Sequence, residues 1–265
     1  MRIAIGVEYN GAAFHGWQTQ QPGVRTVQEE VEKALSKVAG HTVRLACAGR
    51  TDTGVHGLGQ IAHFETEVHR EERSWILGAN SNLPYDASVL WAREMDDDFH
   101  ARFSAVGRSY RYLIHNRMAR SALLAGRATW VYRPLDATLM HEAGQQLVGT
   151  HDFSSFRAIG CQANSPVRTL HSLTVKRFGD HIELRVHANA FLHHMVRNIA
   201  GVLIAIGKGD KPVEWVSEVL EHRDRTKGGV TAPPEGLYFE KVDYPEPYQL
   251  PEPGLSGYPL NIKVE

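Results

Sequence analysis

The chain has 265 residues, 42% of them hydrophobic, enough to bury one large core or two smaller ones. Its 29 basic and 30 acidic residues leave a net charge of −1, so bulk electrostatics announces no nucleic-acid partner. No apolar run is long enough to span a bilayer, and two cysteines, Cys47 and Cys161, are too few for a secreted disulfide scaffold; a cytoplasmic chain with both thiols reduced and buried is expected.

Met1-Arg2 leads straight into the alternating Ile3, Ile5 and Val7 of a strand over 2–9, rather than into the apolar stretch of a signal peptide. Thr26-Val27-Gln28-Glu29 reads as a capping box opening a helix whose apolar face is Val27, Val31, Ala34, Leu35 and Val38, closed by Gly40. Strands over 42–48 and 59–65, a helix over 70–80 stopped by Pro84, and a strand over 87–94 complete the order βαββαβ, the ferredoxin-like unit. The series restarts with a strand over 107–115, a helix over 136–148, and strands over 167–177 and 181–187 joined by Gly179-Asp180. A long helix over 191–206 and a strand over 237–243 end it, with a helix over 213–220 and a loop over 223–234 inserted between them.

The predicted fold class is therefore α/β of the α+β kind, two ferredoxin-like βαββαβ halves whose sheets pair about a pseudo-twofold axis around a central cleft. No sequence repeat accompanies the repeated order of elements. The halves are drawn at 1–105 and 106–245, and a Pro- and Gly-rich extension follows over 246–265.

The most chemically loaded segment is GRTDTGVHG at 49–57, with Asp52 at its centre and Arg50, two threonines, His56 and three glycines around it. Asp-Thr-Gly alone is ordinary turn chemistry, in which the Asp side chain accepts backbone N–H groups. The flanking arginine, histidine and glycines exceed what a turn needs and suit a loop that presents a carboxylate to a ligand. No acidic residue lies between Asp98 and Asp136, while Arg102, Arg108, Arg111, Arg117, Arg120, Arg127 and Arg133 do, interleaved with Tyr110, Tyr112, Trp130 and Tyr132. Guanidinium groups for phosphates and aromatic faces for bases are what looped RNA requires, although a solvated strand pair with counter-charges elsewhere has the same pattern. His193-His194 is a poor metal pair, because adjacent helical residues do not face one site and neither H-E-x-x-H nor CxxC is present.

The nonapeptide resembles the catalytic loop of the tRNA pseudouridine synthases of the TruA family. YNGAAFHGWQTQ (9–20), DDFHARFSA (97–105), RSYRYLIHN (108–116), FLHHMVRNIAG (191–201) and APPEGLYFEKVDYP (232–245) match that family in the same order and cover nearly all of the chain up to Pro245. The resemblance implies the pseudouridine synthase fold and an isomerase acting on uridines 38, 39 and 40 of the tRNA anticodon stem-loop, with no cofactor, no metal and a homodimeric assembly. Residue by residue, it implies that Asp52 is the nucleophile or cleavage assistant, that Arg50 fills the space left by the flipped uridine, and that Arg197 is the cationic partner of Asp52. Tyr110 is implied to pack on the target base, Leu237 to line the base pocket and Arg102 to bind phosphate. Pattern alone leaves three of these open. Tyr110 and Tyr112 share one strand face, Leu237 equally suits strand core, and the segment 99–103 equally suits a strand entry.

Two other classes compete. A non-catalytic RNA-binding protein suits ferredoxin-like sheets but has no use for the Arg50–Asp52 loop and lacks the RNP aromatic signature. An aspartic protease shares D-T-G but needs two carboxylates sharing one proton, and this chain carries one such motif.

Overall fold

The computed structural model describes residues 1–252, and the part of the expected extension over 253–265 lies outside them. The chain divides into two compact units, Met1–Val106 together with the chain from Tyr238 onward, and Gly107–Leu237.

The first unit runs β1 (Arg2–Tyr9), α1 (Val27–Ala39), β2 (Ala46–Cys47), β3 (His56–Glu65), α2 (Glu72–Asn80) and β4 (Ala87–Met95). β1 is antiparallel to both β4 and β3, and β2 pairs with β3. Register sets the core face: Ile3 lies opposite Phe64 and Ile5 opposite Ala62. These side chains bury against Val27, Val31 and Leu35 of α1 and Trp75 of α2. Thr26 caps α1 by accepting the Glu29 N–H, and Gly40 ends it in the left-handed conformation at φ 74°. The Glu29 carboxylate of the expected capping box pairs with Lys33, at 2.8 Å.

The expected strand over 42–48 shrinks to two residues for a local reason. Ser36 Oγ takes the Val43 N–H (2.9 Å) and Glu32 takes that of Leu45 (2.8 Å), so α1 side chains satisfy backbone that a sheet ladder would otherwise use.

The second unit contains β5 (Gly107–Asn116), β6 (Thr129–Val131), α3 (Ala137–Gln145), β7 (Gly149–Asp152), β8 (Val167–Phe178), β9 (His181–Ala188), α4 (Met195–Gly207) and α5 (Trp215–His222). Its strand order is β5-β9-β8-β7, with β6 parallel to β5. The short strands β6 and β7 carry too few residues to show an alternating pattern, and sequence reading passes over them. Gly179, at φ 57°, makes the expected turn between β8 and β9. α4 starts at Met195 rather than at 191, because His194 adopts φ 61° and ψ 5° and acts as a left-handed N-cap.

β10 (Leu237–Asp243) is the strand expected to end the second half. From Tyr238 it belongs to the first unit, where it runs parallel to β3 with Tyr238 opposite His56. The chain then turns at Glu246–Tyr248 and packs the Tyr248 ring 5.1 Å from Phe99.

Candidate active site

In the first unit the loop between β2 and β3 is held mainly through its backbone. Thr51 is buried; its carbonyl accepts the Trp17 N–H at 3.0 Å and its hydroxyl meets that of Tyr9 at 2.8 Å. The Asp52 carbonyl accepts the Val55 N–H (3.1 Å), and the Gly54 N–H reaches the Phe14 carbonyl (3.3 Å) with Gly54 at φ 79°. Gln60 closes the loop's entrance, donating to the Gly49 carbonyl at 2.6 Å and accepting its N–H at 3.4 Å.

Two glycines make this packing feasible. Gly16 has φ 88°, and a Cβ there would stand 2.6 Å from the Thr51 carbonyl oxygen. At Gly57 a Cβ would lie 2.3 Å from the Tyr9 ring. The Asp52 carboxylate thus rides on a fixed main chain, half-exposed between buried Thr51 and exposed Thr53. His56, part of the polar equipment that sets the motif apart, is buried and structural: it accepts the Gly11 N–H at 3.0 Å and stacks on Tyr238 at 4.5 Å.

Arg50 and Arg102 are both exposed, and both bear on Cys47. Burial pushes the Cys47 thiol up to about 11, against the pull of those two positive charges, so the structure brings these two predicted site arginines close to one thiol. The segment 99–103 is a turn rather than a strand entry. Phe99 is buried against His63 at 6.0 Å, and the Ala101 N–H donates to His63 Nδ1 at 3.2 Å. Arg102 and Phe103 are thereby turned outward to solvent.

In the second unit Arg197 sits in the first turn of α4 and grips Ala232 twice. Its Nε donates to the Ala232 carbonyl (2.8 Å), and its own carbonyl accepts the Ala232 N–H (3.1 Å). One turn on, a Cβ at Gly201 would lie 1.8 Å from the Val230 carbonyl oxygen, so only glycine admits the strand of loop lying there. Asn198, next to Arg197 on α4, is buried; it donates to the Phe156 carbonyl and accepts from Arg225 and Thr231. The inserted loop is therefore strapped to α4, and sequence reading missed the strap because its bonds join residues about thirty positions apart.

Geometry separates the two tyrosines. Tyr112 is fully buried, with its hydroxyl 2.6 Å from Thr129 Oγ1 and donating to the Pro233 carbonyl at 2.8 Å, and burial raises its pKa. Tyr110 is half-buried, its ring edge-on to Phe191 at 4.9 Å. Tyr112 is a core residue that braces the Ala232-Pro233 segment, leaving Tyr110 as the candidate. Leu237 is buried, and it follows Gly236, where a Cβ would crowd Leu113, Thr129 and Tyr112.

The expectation that both cysteines are buried is corrected for Cys161: both are free, and Cys161 is only partly covered, whereas Cys47, though not wholly covered, lies deep enough for burial to dominate its pKa. Cys161 Sγ accepts the His193 N–H at 3.4 Å, and hydrogen bonds with the nearby Arg157 charge outweigh desolvation and lower its pKa.

The sequence model of the tRNA pseudouridine synthase family matches residues 5–104 and 143–245. The chain belongs to that family. It is 56% identical over 264 residues to the tRNA pseudouridine synthase A of Alcanivorax borkumensis, covering all of this chain and 99% of that one. It is 57% identical to the protein of the same name from Pseudomonas aeruginosa (98% and 91% covered) and 58% identical to that from Methylococcus capsulatus (94% and 92%). The architecture is accordingly the mixed α/β pseudouridine synthase fold. The crystal structure of a Cbf5-Nop10-Gar1 complex aligns with 89% of this chain and 57% of its own at a TM-score of 0.33 and 10% identity, a distant likeness. Asp52, Arg50, Arg102, Arg197 and Leu237 fall inside the stretches matched by the family, and Tyr110 falls between them.

Proposed function

We propose that this protein converts uridines 38, 39 and 40 in the anticodon stem-loop of tRNA to pseudouridine, with Asp52 as nucleophile or cleavage assistant. The observation that carries the reading is the pinned loop, which holds one half-exposed carboxylate on a backbone tied to Phe14, Trp17 and Gln60 and braced by the Thr51–Tyr9 hydroxyl pair. Positioning of that kind is what a covalent or near-covalent step at a sugar or base demands.

In this reaction the bond between C1′ and N1 breaks, the base turns, and C1′ joins C5. The proton of C5 leaves and N1 gains one, so atoms and electrons balance without a redox cofactor or a metal. A carboxylate serves when ionised, and a guanidinium favours that form; this role is assigned to Arg197. A uridine in a closed loop must be flipped out at a cost of a few kcal/mol. Arg50, exposed two residues from Asp52, is assigned the vacated space, and Arg102 a phosphate. Tyr110 is assigned to the target base and Leu237 to the wall of its pocket. A homodimer in the cytoplasm completes the reading.

Among the described residues no helix is long and apolar enough to cross a membrane, in keeping with an RNA substrate met in solution. The test is tritium release from 5-labelled uridine in tRNA, with the modified positions mapped. Asp52→Asn keeps the side chain's shape and loses its charge; it is expected to retain tRNA binding and lose at least about 10⁴-fold in turnover. Turnover within tenfold of wild type overturns the assignment. Wild-type protein that binds tRNA without releasing tritium leaves the non-catalytic RNA-binding alternative in its place.

A further inference from the structure

We infer that the exposed face of β6, carrying Trp130 with Tyr132 just beyond it and bonded to the loop that bears Arg117 and Arg120, is an RNA-docking surface on which bases stack and guanidinium groups meet phosphates. The inference rests on the reading that the substrate is RNA, and it adds a surface in residues 117–132, between the two stretches that the family model matches.

The aromatic side chains are large and open. Trp130 is 45% and Tyr132 57% exposed, and Met118, which follows Arg117 on the loop that the indole bonds to, is 79% exposed. An apolar surface left open in this way marks a contact rather than a core. Their rings lie 6.2 Å apart and inclined at 49°, so they do not close each other off by stacking. β6 is held to β5 with Trp130 opposite His115 and Val131 opposite Asn116, and the Trp130 indole N–H donates to the Arg117 carbonyl at 3.0 Å. That bond sets the indole directly beside the basic loop.

The charges there are unevenly engaged. Arg133 is spent on structure, donating to both oxygens of Asp210 and to the Lys208 carbonyl. Arg117 Nε donates to the Ala119 carbonyl at 2.8 Å within its own loop, and an exposed Asp180 oxygen lies at 3.7 Å, a surface pair worth little that leaves its charge uncancelled. Arg120 is exposed, and no acidic side chain lies anywhere from 99 to 135. Aromatic faces interleaved with arginines stack on bases and neutralise phosphates with little regard to sequence. A second copy of the chain fits this patch poorly, since a twofold contact would set arginines against arginines.

The experiment measures tRNA binding, KM and kcat for Trp130→Ala/Tyr132→Ala and for Arg117→Ala/Arg120→Ala. The aromatic pair is expected to raise Kd and KM about tenfold or more with kcat at saturating tRNA unchanged. The arginine pair is expected to lower the slope of log K against log salt by about two. Trp130→Phe, which keeps a stacking face, is expected to retain most of the affinity. Because Trp130 also holds the loop, Tyr132→Ala alone, expected to weaken binding about fivefold, decides the matter if the double variant fails to fold. Wild-type Kd, KM and salt slope in folded variants overturn the proposal, as does a loss of dimer mass that accounts for the whole effect. Wild-type protein without pseudouridine activity would instead remove the functional reading on which the proposal stands.

Discussion

Asp52 and Arg197 are held by different means. The carboxylate sits on a loop whose main chain is tied at Gly49, Thr51 and Gly54 to Gln60, Trp17 and Phe14, with the Thr51 hydroxyl bonded to that of Tyr9. The guanidinium sits in the first turn of a helix, whose own ladder fixes its main chain, and a side-chain bond to the Ala232 carbonyl helps to set its direction. A loop has no repeating ladder of its own, so a fixed position must be assembled from many contacts; a helix supplies the position, and only the side chain remains to be aimed. Damage should therefore spread differently in the two regions. Around Asp52, residues that never touch substrate should affect turnover, whereas around Arg197 the effect should concentrate in the one side chain.

The largest effect expected from this contrast is that of Arg197→Gln. Turnover should fall about 10²- to 10³-fold, the usual cost of one charge-stabilising donor, while thermal stability changes little. A large stability loss with near-normal turnover would make Arg197 a strap for Ala232 and nothing more. Next is Gly16→Ala, which places a Cβ 2.6 Å from the Thr51 carbonyl at φ 88°. Stability should drop by about 1–3 kcal/mol, and kcat should fall at least tenfold although Gly16 carries no side chain. Unchanged kcat in a folded Gly16→Ala protein would break the argument that the loop is positioned through its backbone.

A smaller effect concerns the floor beneath Arg102. Burial, His100 and Arg2 lower the His63 pKa from 6.5 to about 4. The folded state thus favours neutral imidazole, and the stability this confers is full above about pH 6.5 and lost as pH falls toward 4. His63→Gln should flatten the pH dependence of unfolding free energy across that window by about 2–3 kcal/mol, measured by denaturant titration. An unaltered slope would place the titration elsewhere. Tyr9→Phe, which removes the hydroxyl bonded to Thr51, should cost about 1 kcal/mol and shift kcat by less than Gly16→Ala does.

Much of this protein was legible in its sequence because the signals are local. The alternation of Ile3, Ile5 and Val7, the Thr26 cap and Gly40 stop of α1, and the turn at Gly179-Asp180 each specify their own stretch of backbone. The order βαββαβ and the loaded segment around Asp52 follow from such signals, read together with the ordered family motifs. What the sequence left open was settled by contacts between distant residues. Tyr110 and Tyr112 are equivalent on an alternating strand, and only the meeting of Tyr112 with Thr129 and Pro233 consigns it to the core. His56 reads as polar equipment until the Gly11 N–H claims its ring nitrogen, and residues 42–45 read as strand until Glu32 and Ser36 take their N–H groups. Strand β10 closes the predicted second half in sequence yet from Tyr238 belongs to the first unit, because chain order does not determine which sheet edge a strand will meet. Local propensity and capping act within a few residues, whereas burial and the satisfaction of backbone polar groups depend on what the folded chain brings alongside.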